Sequence, residues 1–156
     1  MKILADDLSD DEKRAYIREN FKPGCVFYLL SRLPGRTKDK YYLLASASVP
    51  PLFLIINTDI SRFIESRPHL RRCQVPLKVT EHPQIIEHDC YLDCTSTFSF
   101  SFEEVTKQAM TRMERVKRRL SQATLDAIIT ALERDNRIPL ERKLRMLEHL
   151  KASVES

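Results

Sequence analysis

Three groups of side chains in this chain have the types and spacing to do chemistry. The first is the run His88-Asp89-Cys90-Tyr91-Leu92-Asp93-Cys94-Thr95. Drawn as an extended strand, it sets His88, Cys90, Leu92 and Cys94 on one face and Asp89, Tyr91, Asp93 and Thr95 on the other. Zinc takes thiolate and imidazole ligands, and Cys73 and His82 lie close by in sequence. Cys90 and Cys94 on one strand, however, stand about 13 Å apart at roughly 3.3 Å per residue, too far to share an ion. The finger and ribbon spacings are also absent. Neither a metal nor a cofactor is expected, and the cysteines fit better as small core side chains. The opposite face, with Asp89, Tyr91 and Asp93, would make a polar patch able to hold RNA bases or a basic peptide. The alternative is a turn entering a strand, with Asp89 bonded to local backbone.

The second group is a Cys–His nucleophile pair, Cys25 or Cys90 with His69, His82 or His88. Neither a strained elbow nor a family-type flank supports it. The third would act on a phosphodiester. Metal-free RNA cleavage needs a group to activate the ribose 2′-hydroxyl and a cation for the charge that develops on phosphate. Arg36, Lys38 and Lys40 sit in or beside the polar stretch Leu33 to Asp39, and Thr58 lies just past an apolar run. These residues line one groove if the strands close into a small barrel. The alternative is a set of solvated loop cations, with Thr58 capping a helix that starts near Ile60.

The elements that would position these residues follow from pattern. Ser9-Asp10-Asp11-Glu12 is a capping box, which predicts a helix to about Asn20. Pro23-Gly24 breaks the chain. Cys25 to Leu30, Tyr41 to Ala47 and Leu52 to Asn57 are short runs rich in aromatic and branched residues, bounded by Pro, Gly or polar turns, and read as strands. Ile60 to Ser66 is a turn or two of helix ended by Arg67-Pro68. Gln74 to Val79 is a fourth strand, and Pro76 places it at an edge. Ser101-Phe102-Glu103-Glu104 is a second capping box. The spacing of Val105, Ala109, Met113 and Val116 predicts one helix from there to about Leu120. Ser121 caps a further helix striped by Leu125, Ile128, Ile129 and Leu132. After a turn at 136–138, Pro139 introduces a last helix with Leu140, Leu144, Leu147 and Leu150 in line. The plan is a single α+β domain over 1–156, with a strand-rich part over 22–98 and a helical part over 101–151.

Composition narrows the classes. The chain has 156 residues, enough to bury a core without staples, and 42% are hydrophobic. Its four cysteines (Cys25, Cys73, Cys90, Cys94) are too few for a disulfide-dense scaffold, and its two glycines, Gly24 and Gly35, make no phosphate loop. The longest apolar run, Val49 to Ile56, contains two prolines and is too short to span a bilayer. An acidic start without a signal region predicts a cytoplasmic protein with reduced thiols and no membrane association. The formal charge is +4. It is concentrated in residues 107–156, where 12 basic side chains face 7 acidic ones. Lys107, Arg112, Arg115, Lys117, Arg118 and Arg119 oppose only Glu114, a density that attracts phosphate or an acidic partner unless it is simply a solvated helix face.

The order of these pieces resembles the PemK/MazF-like toxins of bacterial toxin–antitoxin pairs. The resemblance rests on Pro23-Gly24-Cys25-Val26, the loop ending in Lys40 before Tyr41-Tyr42-Leu43-Leu44-Ala45-Ser46, Phe53-Leu54-Ile55-Ile56-Asn57-Thr58, Val75-Pro76-Leu77, Tyr91-Leu92-Asp93-Cys94 and Arg118-Arg119-Leu120-Ser121 leading a helix. It covers roughly residues 22–134 and lies in order more than in identity. It implies an SH3-like β-barrel with an N-terminal helix and C-terminal helices. It further implies a homodimer that cleaves single-stranded RNA without metal and an acidic antitoxin-like protein as partner. By the same resemblance the catalytic positions are Lys40 and Thr58, with Arg36, Lys38, Arg115, Arg118 and Arg119 binding RNA. Two departures stand out. Lys40-Tyr41 replaces the family's Arg-Pro, and Lys cannot fork onto phosphate as Arg does; Cys25 stands where an acid is usual. The other outcome these departures allow is a non-catalytic module of the same family that binds a protein or nucleic acid.

Overall fold

A computed structural model describes residues 7–33 and 36–155, leaving aside the side chains of residues 32, 33, 36, 154 and 155. The chain is α+β. A curled six-stranded antiparallel sheet, a half-barrel, carries helices on both faces. The elements in chain order are α1 (Asp10–Asn20), β1 (Cys25–Leu33), β2 (Arg36–Ser46), β3 (Leu52–Asn57), α2 (Arg62–Glu65), α3 (Pro68–Arg71), β4 (Gln74–Leu77), β5 (Cys90–Asp93), α4 (Phe102–Thr111), β6 (Val116–Arg119), α5 (Gln122–Glu133) and α6 (Leu140–Glu155). The strands lie in the order β4-β5-β3-β2-β1-β6.

Local chemistry explains most boundaries. Both arms of the Ser9/Glu12 capping box form and open α1. Ser101 and Ser121 accept from the backbone N–H groups of Glu104 and Thr124, opening α4 and α5 in the same way. Gly24 sits at φ +98°, open to glycine at little cost. Its N–H donates to the Leu44 carbonyl and its own carbonyl accepts from Leu120, so this one residue ties the start of β1 to β2 and to the entry of α5. Pro76 lies in β4, the edge strand, where a missing N–H is tolerated.

Period-two alternation sorts the sheet into two cores. Val26, Leu43, Ala45, Leu54 and Ile56 join Leu92 and the apolar stripes of α5 and α6 on one face. Cys25, Phe27, Leu29, Tyr42, Leu44, Phe53 and Ile55 join Ile17 of α1 with Val105 and Ala109 of α4 on the other. The second core is aromatic: Phe53 meets Phe27 at 6.3 Å, Tyr42 at 6.4 Å and Phe100 at 5.4 Å between ring centroids. Its edge-to-face angles suit the ring quadrupoles.

Three expectations are corrected. The helix predicted from 101 to 120 stops at Thr111; Arg112 is extended, Met113–Arg115 is a single 3-10 turn, and Val116–Arg119 pairs with β1. The spacing of Val105, Ala109, Met113 and Val116 did identify buried residues, but all four reach the core without one helix. An edge of β1 left without a partner would carry unpaired N–H and C=O groups, and β6 supplies that partner. The stretch predicted as a loop over 33–39 is mostly strand, since β2 begins at Arg36 and pairs Thr37 to Lys40 with Arg32 to Leu29. The stripe on α6 is divided: Leu147 and Leu150 are buried, whereas Leu140 and Leu144 are 67% and 56% exposed. No helix among the described residues is long and apolar enough to cross a membrane.

Candidate functional site

The hairpin β1–β2 outruns the rest of the sheet. Ile56 is opposite Tyr41, and β3 stops one residue later at Asn57, while β2 continues back to Arg36. A cavity of about 460 Å³ lies at this step. Its floor is Tyr28, Tyr41 and Ile56. The segment 86–90 brings Glu87, His88 and Cys90, and the stretch after α4 brings Arg112, Glu114 and Lys117. Lys38, Asp39, Lys40 and Thr58 complete the lining.

Three of the sequence-derived site residues therefore share one cavity: Lys38, Lys40 and Thr58. Strand alternation places Lys40 in phase with Tyr42 and Leu44, while Asp39 and Tyr41 lie in phase with Ile56. Lys40 lines the cavity all the same. Arg115 has a different role from the expected RNA contact. It is buried, donates from NH1 to Asp39 Oδ1 at 2.9 Å and to the Tyr28 carbonyl at 2.8 Å, and so braces the cavity wall from behind. Arg118 and Arg119 are exposed on β6 outside the cavity lining, and Arg119 donates to Gln122 and to the Ser153 carbonyl. Arg36 opens β2, but its side chain lies outside the described residues.

Of the two alternatives for Asp89, Tyr91 and Asp93, the polar patch does not form and the turn entering a strand does. Asp93 is 6% exposed and accepts from Gln74 Nε2, the Thr95 N–H and the Thr95 hydroxyl, which makes it an internal knot between β4 and β5. Asp89 accepts from the Val79 N–H, the local backbone role. Cys90 and Cys94 are buried with Leu92, all four cysteines are free, and among the described residues no three His, Cys, Asp or Glu side chains gather to hold a metal ion. His88 is exposed at the cavity; its Nδ1 lies 3.3 Å from the Asp89 carbonyl. A carbonyl oxygen only accepts, so in that contact Nδ1 is the donor.

Charge in the cavity is mixed. Lys38, Lys40, Arg112 and Lys117 face Asp39, Glu87 and Glu114. Burial lowers the pKa of Lys117, against the opposing pull of Glu114 and Glu87. Burial raises that of Tyr41, reinforced by Glu87, so its phenol stays protonated well into the alkaline range. Burial, with the Asp89 charge next, pushes the Cys90 thiol up to about 11. The thiolate needed for nucleophilic chemistry is therefore scarce at neutral pH. The native state holds this proton after an unfolded thiol, near 9.0, has lost it. Stability contributed by Cys90 is thus present below pH 9 and lost as pH rises toward 11. We expect Cys90→Ala to flatten the fall in denaturation midpoint between pH 9 and 11; an unchanged slope would show that the thiol is not held protonated.

Sequence reasoning missed Tyr28, Tyr41, Arg112 and Lys117 as cavity residues. A signal existed for the tyrosines: a hairpin centred between Pro34 and Gly35 sets residue 28 opposite residue 41, which is the register observed. For Arg112 and Lys117 the signal was only their place in the basic run 107–119, and their position at the cavity depends on α4 ending at Thr111. No protein-family model matches the chain, and no curated protein matches it.

Proposed function

We propose that the protein is a toxin-like endoribonuclease of the PemK/MazF kind, cleaving single-stranded RNA without metal. In this reading the half-barrel is SH3-like, the protein is cytoplasmic and dimeric, and an acidic antitoxin-like protein is its partner. The observation that carries the proposal is that Lys40 and Thr58, 18 residues apart in sequence, wall the same cavity together with Lys38, Arg112 and Lys117.

The chemistry is an in-line transfer. The ribose 2′-oxygen bonds to the adjacent phosphorus and the bond to the 5′-oxygen breaks, leaving a 2′,3′-cyclic phosphate and a 5′-hydroxyl. The 2′-proton passes to His88 Nε2, and the leaving 5′-oxygen takes a proton from the Lys40 ammonium or from water, so that it departs as a hydroxyl. Lys40 holds the phosphoryl oxygens or protonates them, Thr58 orients the phosphate, and Lys38 with Arg112 binds the flanking backbone. Glu87 and Glu114 keep the cavity from becoming a general anion sink.

The test is incubation of the purified chain with defined single-stranded RNA in chelator. Cleavage to cyclic-phosphate ends is expected, with a loss of about 100-fold or more in Lys40→Ala and Thr58→Ala. Cleavage that survives both substitutions removes these residues from the mechanism. A second reading is a non-catalytic module binding a protein partner or nucleic acid. It is favoured by the exposed Leu140 and Leu144, which α6 leaves uncovered. Binding of RNA or protein without any cleavage by the unsubstituted chain would select it.

A further inference from the structure

Tyr28 and Tyr41 are cross-strand partners at the floor of the cavity, and their rings lie 4.5 Å apart between centroids at 42°. Both are half-buried, unlike the fully enclosed aromatic residues Phe27, Tyr42 and Phe53 on the other sheet face. The pair is held stiffly. Arg115 is fastened to Asp39 and to the Tyr28 carbonyl, and its guanidinium stands 5.9 Å from the Tyr28 ring centroid, within cation–π reach. A core explanation for two such rings is incomplete. Ile56, Ile86 and Cys90 are the apolar neighbours at the cavity, and the other residues around the rings include Lys38, Asp39, Lys40, Glu87, Arg112, Glu114 and Lys117.

A half-exposed ring pair braced from behind, with cations placed around it, is what a nucleobase and its phosphates require: a π-face for the base and charge for the backbone. We infer that Tyr28 and Tyr41 form the stacking surface that seats one nucleobase of a single-stranded chain beside Thr58. This rests on the proposal that the cavity takes RNA and adds how the strand is held: by a base drawn out of stacking with its neighbours rather than by the backbone alone. Stacking of this kind tolerates any base. Discrimination would fall to Glu87, which lines the same cavity and whose carboxylate accepts from the amino groups of adenine, cytosine and guanine but finds none on uracil.

The chain has no Trp, so its ultraviolet emission comes from five tyrosines, and the share of Tyr28 and Tyr41 is read from what their substitution removes. The probe is a ten-nucleotide 2′-O-methyl RNA, which cannot be cleaved through its 2′-oxygen, compared with the same backbone carrying abasic sites throughout. The base-bearing strand is expected to quench tyrosine emission and to bind about 5- to 150-fold more tightly than the abasic one. Tyr28→Leu and Tyr41→Leu should each remove most of the difference between the two strands, and Tyr41→Phe should restore what Tyr41→Leu loses. Equal affinity of the unsubstituted chain for the two strands overturns the stacking surface while leaving an RNA-binding cavity standing, and needs no variant to fold. Failure of the unsubstituted chain to bind either strand overturns the cavity proposal itself, whereas binding without cleavage of unmodified RNA overturns the catalytic reading alone.

Discussion

Arg115→Ala should lower stability by about 2–4 kcal/mol. The side chain is 11% exposed and its partner Asp39 25% exposed, and the guanidinium also satisfies the Tyr28 carbonyl. Truncation leaves a carboxylate and a carbonyl facing a gap behind the cavity floor. Arg115→Lys should recover only part of the loss, because an ammonium is more strongly hydrated than a guanidinium and costs more to bury, and it gives up the planar group near the Tyr28 ring. The double substitution Arg115→Met with Asp39→Leu should be milder than Arg115→Ala, since no charge is left unpaired. The contrast is Arg112. Its pair with Glu114, at 3.0 Å, is more than half exposed on both sides, so Arg112→Ala should cost under about 1 kcal/mol. Urea denaturation of the four variants checks this; equal losses at Arg112 and Arg115 would show that Arg115 is no more than a surface cation.

Phe53→Ala should be costlier still, about 3–5 kcal/mol. Phe53 is fully buried at the centre of the aromatic core, with Phe21, Phe27, Tyr42 and Phe100 around it. Its backbone also exchanges both hydrogen bonds with Phe98, at 2.8 and 2.9 Å, which anchors the segment leading into α4. For a chain of this size the loss corresponds to a melting temperature lower by roughly 6–20 °C. Phe53→Leu keeps most of the volume and should lose less than half as much. Val49→Ala, at a position 90% exposed, should stay within about 0.5 kcal/mol of the parent. A melting temperature for Phe53→Ala within a degree or two of the parent would mean that the two cores are not cooperatively linked.

Much of this molecule is written locally. The capping box at Ser9, the caps at Ser101 and Ser121, the break at Gly24 and the edge strand at Pro76 each depend on a few neighbouring residues, and each appears where its chemistry requires. The alternation of Val26, Phe27 and Leu29, or of Leu43 and Leu44, likewise states that the sheet is covered on both faces. Lys40 and Thr58 were nominated by type and place in the order of elements, and the hairpin register brings both to one cavity.

What the chain alone decided, then, was the elements held by near neighbours and the residues that had to be buried: a cap, a turn or an apolar period costs or stabilises through contacts a few positions away. Tertiary structure decided the rest. Whether Val116–Arg119 is helix or strand depended on an open edge of β1 some ninety residues earlier, and whether Arg115 meets solvent or Asp39 depended on that same pairing. Asp93 became an internal acceptor because Gln74 and Thr95 arrived beside it, and Leu140 stayed in water because α5 and the sheet cover only one flank of α6. The energy of an ion pair, a sheet edge or a buried carboxylate belongs to partners far apart in sequence, so it exists only once the chain has closed on itself.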